Sequence, residues 1–229
     1  MKTIGLIGGM SWESTAHYYR VLNEETARKR GGLHSAPLLL LSVDFAPIET
    51  LQRSGKWEEA GTLLATHAKT LEAGGAKVLG LATNTMHIVA ERMAEGLAIP
   101  FVHIADPTAN ALLEKGISRA GLLGTRFTME MDFYKDKLKS RGLDVVVPDR
   151  EIEDINRIIY DELCRGVVRE ESRRFFIQAI SRLAQRGAQA VILGCTEIAM
   201  LVYEVSSPLP VFDTTDLHAK ALVSAALAD

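Results

Sequence analysis

The chain has 229 residues, 47% of them hydrophobic, with 26 basic and 29 acidic side chains and a formal charge of −3. That is enough apolar material for one large core or two small ones, and scattered lysines and arginines form no basic stripe for nucleic acid. No apolar run approaches the roughly 18–20 residues that span a bilayer; glycines and charges follow the apolar start too soon for a signal peptide; and two cysteines, Cys164 and Cys195, make no disulfide framework, so a reducing cytoplasm is expected.

Along the chain, short apolar runs alternate with longer amphipathic stretches. Strands are predicted over 3–8, 37–43, 77–82, 100–104, 119–124, 143–147, 189–194 and 209–213. Helices are predicted over 11–29, 56–74, 86–96, 106–115, 127–141, 150–165, 169–187 and 214–228. The runs LLLLSV and AVILG are continuous, the pattern of strands covered on both faces. Ser11 or Ser14 suits the cap of the first helix, and Asp213 or Thr214 that of the last. Such alternation argues for parallel, right-handed βαβ units in an α/β fold.

The chain also repeats itself. Residues 71–85, LEAGGAKVLGLATNT, align with 183–197, LAQRGAQAVILGCTE, at a constant offset of 112. IGLIGGM (4–10) resembles AGLLGTR (120–126) at 116, and IPFVHIADPTANAL (99–112) resembles LPVFDTTDLHAKAL (209–222) at 110. One such block is a chance match between generic βα units; three in order predict a duplication. The expected architecture is two pseudo-symmetric, doubly wound parallel-sheet lobes: 1–98 plus 209–229, and 99–208. The third pair of blocks sits where the chain would cross between lobes, returning the C-terminal helix to the first. Ligands of open parallel sheets bind beyond the carboxyl ends of the strands, so a cleft between the lobes is the expected site.

Each copy delivers a polar triplet at a strand end: Thr83-Asn84-Thr85, then Cys195-Thr196-Glu197. A lone cysteine is by default buried and inert. Cys195, at a strand-to-helix switch, is expected to be functional, its thiol acidified by the helix N-terminus. Thr83 is its symmetry mate, and its triplet also suits a helix N-cap. Asn84, Thr85 and Thr196, with their backbone N–H groups, suit a carboxylate cradle. Thr125 and Thr128 would add hydroxyls, and Met10 closes a glycine loop that lets a backbone approach closely. Gln52 and Arg53 fall in a polar stretch from which they could reach a substrate side chain, Gln52 being the candidate substrate-binding residue, although a solvated loop is the more ordinary reading of either alone. His87, one turn after Thr83, could orient the cleft, but a satisfied interior or boundary histidine is the more ordinary reading; Cys164 reads mainly as packing, with lining of the cleft as the lesser alternative. No dinucleotide fingerprint, P-loop, nucleophile elbow or metal-ligand spacing appears, so no cofactor or metal is expected.

These residues resemble the aspartate/glutamate racemase family, which carries Cys-Asn-Thr in its first half and Gly-Cys-Thr-Glu in its second. IGLIGGMSWEST (4–15), PFVHIAD and PVFDT resemble its aspartate-racemase branch, over essentially the whole chain. The resemblance implies an isomerase acting on a small amino-acid substrate without pyridoxal phosphate, two thiols flanking the α-carbon, and a homodimer as a compatible assembly. The departure is Thr83, where the family has its first cysteine, so Cys195 would abstract the proton efficiently and Thr83 would serve the opposite face poorly, with a bias from the L-form. Cys164, taken to stand where such racemases carry a lysine, and Gln52 imply a wider range of side chains than aspartate and glutamate. The competing readings are a single-cysteine decarboxylase or cis–trans isomerase of small dicarboxylates, and a non-catalytic amino-acid-binding homologue.

Overall fold

The computed structural model describes residues 1–202 and 204–228. The chain divides into two compact units, Met1–Ile104 with the segment from His218 onward, and Ala105–Leu217. The first unit runs β1 (Ile4–Gly8), α1 (Trp12–Arg30), β2 (Leu38–Ser42), α2 (Phe45–Arg53), α3 (Trp57–Ala73), β3 (Val78–Leu81), a 3-10 turn over Thr85–Val89 and α4 (Ala90–Ala94). The second runs α5 (Ala105–Glu114), β4 (Arg119–Gly124), α6 (Arg126–Glu130), α7 (Asp132–Lys139), β5 (Asp144–Val146), α8 (Ile152–Asp161), α9 (Glu170–Gln185), β6 (Ala190–Gly194) and β7 (Val211–Asp213). The last helix, α10 (Thr214–Leu227), begins in the second unit and ends in the first. No described helix is long and apolar enough to cross a membrane.

Both sheets are parallel, ordered β2-β1-β3 and β5-β4-β6-β7. The repeat offsets carry one register onto the other. Ile4 pairs with Val78 in the first sheet; adding 116 and 112 gives Ala120 and Ala190, which pair in the second. Leu79 bridges Phe101; adding 112 and 110 gives Val191 and Val211, which pair in turn. The hydrogen bonds follow, with Leu79 N donating to Pro100 O and Val191 N to Pro210 O, both at 2.9 Å.

Successive strand residues point to opposite faces, and the first unit buries both. Ile4, Leu6 and Val78 meet Tyr18, Val21 and Leu22 of α1 and Ala219, Leu222 and Val223 of α10. Ile7, Leu79 and Leu81 meet Ile48 of α2 and Leu64, Ala68 and Leu71 of α3. In the second unit, Leu123, Val191 and Leu193 pack with Ile155 and Ile159 of α8 and Phe176 and Ile180 of α9. Two tight points shape the loops that follow β1 and β4. Gly9 has φ of +94°, and a Cβ there would sit 2.2 Å from Val43 O. A Cβ on Gly124 would lie 2.8 Å from Gly194 O, so the ends of β4 and β6 approach backbone to backbone.

Several sequence expectations change. The run 100–104 is no strand: Phe101 makes one bridge to β3 before the chain enters α5 at Ala105. Because that bridge holds 101 with the first sheet and 211–213 pair with β6, the two units divide beyond these residues rather than at 99 and 209. LLLLSV is not covered on both faces, since β2 is an edge strand and Leu40 is 43% exposed. The predicted helix 86–96 is a 3-10 turn plus α4, 127–141 breaks at Met131, and 150–165 ends in a 3-10 turn over Leu163–Arg165. The polar stretch after Asp44 is α2, capped by the Asp44 carboxylate accepting from Ala46 N. Pro47 sits in its first turn, where a missing N–H costs no helical bond. Ser11 caps α1 through Ser14 N, and Asp213 accepts from Thr215 N at the start of α10.

Candidate functional site

In the first unit the Thr83 triplet emerges from β3, every residue of which is buried. Thr83 is 7% exposed, and Asn84 and Thr85 are buried beside it. Thr83 N donates to Leu81 O, and the chain turns at once, His87 N donating to Asn84 O. The triplet therefore opens a 3-10 turn, and Asn84, its N-cap residue, makes no side-chain cap bond. Met10 and Met86 share one apolar cluster with Ile48. Gln52, on α2, is buried with Nε2 2.9 Å from Met86 Sδ. This overturns its reading as a solvated loop residue, while Arg53 keeps the solvent-facing role and pairs with Glu49.

His87 is buried just behind this triplet. Its Nδ1 lies 2.7 Å from Thr83 O, and its Nε2 accepts from Ile104 N at 3.1 Å. Burial drives its pKa well below the usual histidine value, and His103 and His218 add to the effect, so the ring is neutral at neutral pH.

In the second unit the Cys195 triplet follows β6, again buried along its whole length. Cys195 is 6% exposed and Thr196 and Glu197 are buried. Cys195 Sγ donates to Glu197 Oε2 at 3.0 Å, and Thr196 Oγ1 donates to the same oxygen at 2.7 Å. The expected acidified thiol is not found. Its pKa is pushed well above the ordinary value, first by burial, then by the negative field of Glu197 and by Cys164, while the Glu197 backbone N–H works the other way. The physical reason is local. Residues Ile198–Met200 form only a three-residue 3-10 turn, so no α-helix directs a macrodipole at the sulfur.

The remaining predicted residues, Thr125, Thr128 and Cys164, belong to the second unit. Thr125 follows β4 and caps α6, accepting from Thr128 N. Thr128 is fully buried, its Oγ1 3.2 Å from Thr125 Oγ1, and its methyl packs near Gly194, directly before Cys195. Cys164 lies in the 3-10 turn after α8 and packs against the core that contains Cys195. Two residues were in view in the sequence without their contacts: Glu197 as the last member of the polar triplet, not as the acceptor of the Cys195 proton, and His87 as an interior histidine, not as the partner of Thr83 O. In the second unit the arrangement supplies a protonated thiol with a carboxylate already accepting its proton, which is the starting state for making a thiolate on demand.

The sequence profile of a family described as Asp/Glu/Hydantoin racemase matches residues 7–222. The broad specificity amino-acid racemase RacX of Bacillus subtilis is 23% identical over 231 aligned residues, covering 98% of each chain. Among solved structures, one described as a candidate Asp/Glu racemase from Yersinia pestis is 48% identical over the whole of both chains, with a TM-score of 0.92. An aspartate racemase homologue from Pyrococcus horikoshii is 34% identical, also over the whole of both chains, with a TM-score of 0.84.

Proposed function

This chain belongs to the Asp/Glu/Hydantoin racemase family, and from that premise we propose that it racemises free amino acids without pyridoxal phosphate or metal, using Cys195 on one face of the α-carbon and Thr83 on the other. The observation that carries the reading is the Cys195 Sγ–H bond to Glu197 Oε2 at 3.0 Å. The thiol proton passes to the carboxylate, and the resulting thiolate removes the α-proton. The electron pair left on carbon spreads into the substrate carboxylate, where fixed backbone N–H groups and hydroxyls of the two triplets stabilise it. On the opposite face the Thr83 hydroxyl delivers a proton, and water replaces it. The reading requires both triplets to reach one α-carbon.

The hydroxyl is the weaker partner. Loss of a proton from an alcohol is far less favourable than loss from a thiol, so the L-enantiomer, facing Cys195, is deprotonated faster than the D-enantiomer. The two enantiomers have equal free energies in water, so kcat/KM for complete inversion is the same from either side; the bias resides in α-proton exchange. Uncharged Gln52 and Cys164 favour a substrate range wider than acidic amino acids, in keeping with the name of the Bacillus subtilis relative. A panel of L- and D-amino acids in heavy water, followed by NMR, tests this. Deuterium should enter the α-position of several L-amino acids, and Cys195→Ser should abolish it. Carbon dioxide release or alkene isomerisation from dicarboxylates, without α-exchange in any amino acid, would overturn it.

A further inference from the structure

Behind Thr83, three imidazoles gather in the first unit. His87 lies 4.5 Å from His103 and 6.0 Å from His218, centroid to centroid. Two of the three rings have both nitrogens committed to hydrogen bonds. The Thr83 carbonyl can only accept, so His87 Nδ1 carries the proton; the Ile104 amide can only donate, so Nε2 supplies its lone pair. His218 is fixed in the opposite tautomer, Nε2–H donating to Val102 O and Nδ1 accepting from Tyr18 Oη, each at 2.8 Å. Both rings are saturated by backbone and phenol.

We infer that His87 is a positioning residue for the Thr83 half of the reaction, its ring tying the Thr83 carbonyl to the Ile104 amide so that the 83–84 peptide, and with it the Thr83 hydroxyl, is held in one orientation. The inference rests on the reading of Thr83 as the group on the opposite face. A peptide unit is planar, so anchoring the Thr83 oxygen also fixes the direction of the Asn84 N–H. The triplet starts a 3-10 turn rather than an α-helix, and Asn84 makes no side-chain cap bond, so the His87 ring ties the first residue of the triplet to a distant backbone amide. Ile104 is the last residue of the first unit before the chain passes into the second. The imidazole thus links the triplet to the end of that crossing segment. Proton transfer is sensitive to donor placement on the scale of a hydrogen bond, and a loosened hydroxyl slows delivery to the α-carbon without touching the Cys195–Glu197 pair.

The test uses the full-length protein in heavy water with the fastest-exchanging L-amino acid of the panel. Two rates are read: deuterium entry into the L-form, in which Cys195 alone moves the proton at carbon, and formation of the D-form, in which Thr83 must also deliver one. His87→Gln retains an acceptor for Ile104 but loses the donor to Thr83. It should lower the ratio of inversion to exchange about tenfold, the worth of one good hydrogen bond; any loss of the Asn84 N–H contact slows both rates alike and cancels in the ratio. His87→Asn, whose amide nitrogen stands near the Nδ1 position, should restore the ratio. Equal losses of both rates in His87→Gln, or no change in the ratio, would overturn the inference. Where a variant fails to fold, 15N NMR of the unaltered protein at pH 7 still decides: a neutral ring protonated at Nδ1 is expected, and a proton on Nε2 contradicts it. Absence of any α-exchange in the unaltered protein would instead sink the racemase reading itself.

Discussion

Glu197 pulls the Cys195 titration and the Cys195 reactivity in opposite directions. Its charge adds to burial in holding the thiol protonated, while in the proposed reaction its Oε2, 3.0 Å from the sulfur, takes that proton. Replacing Glu197 by Gln therefore separates two effects. The thiol pKa falls, because the negative field is gone while burial remains, and the ultraviolet absorbance of the thiolate appears at lower pH. Exchange of the α-proton falls at the same time by roughly 100–1,000-fold, the ordinary worth of a general base. A titration that stays put or moves upward, or exchange that survives, removes Glu197 from the mechanism. Thr83→Cys makes the complementary change: a second thiol should raise D-amino-acid exchange by at least about tenfold, measured by the same NMR experiment, since a thiol is a better proton carrier than an alcohol. Neither the sign of the Cys195 shift nor the partner of its proton was legible in GCTE. Both depend on whether an α-helix or a 3-10 turn follows, and three residues of sequence do not decide that.

At the scale of elements, His218 couples stability to pH. Its pKa is lowered from 6.5 to about 4 by burial, with Tyr18 and Val102 holding the neutral tautomer. The unfolded chain binds this proton more readily, so the stabilisation is complete above about pH 6.5 and is lost as pH falls towards 4. At 1.36 kcal/mol per pKa unit, this single group contributes on the order of 3 kcal/mol. Urea unfolding midpoints should fall between pH 6.5 and 4.5, and His218→Gln should flatten the slope; an unchanged slope refutes the assignment. Gly9 governs a different element, the loop after β1. With φ of +94° and Val43 O 2.2 Å from an added Cβ, Gly9→Ala should cost about 1–3 kcal/mol in a denaturation experiment. Elements differed in how plainly they read. β1, β3, β4 and β6 are apolar runs closed by glycine or polar triplets, and their burial made them conspicuous. The nine residues of α2 were hidden by Pro47 and by a length too short for helical periodicity to emerge, which also hid the burial of Gln52.

At the scale of the molecule, the duplication was the most legible feature, because it constrains hydrogen-bond register as well as composition. Offsets of 116, 112 and 110 convert the pairings of the first sheet into those of the second. The same symmetry sets a thiol and a hydroxyl at equivalent strand ends, one in each unit, and that inequality is the centre of the functional account. The most direct measurement compares initial rates of α-deuterium incorporation into the L- and D-enantiomers of one amino acid by the unaltered protein. Incorporation into the L-form should be faster by about tenfold or more; equal rates for the two enantiomers would contradict the account.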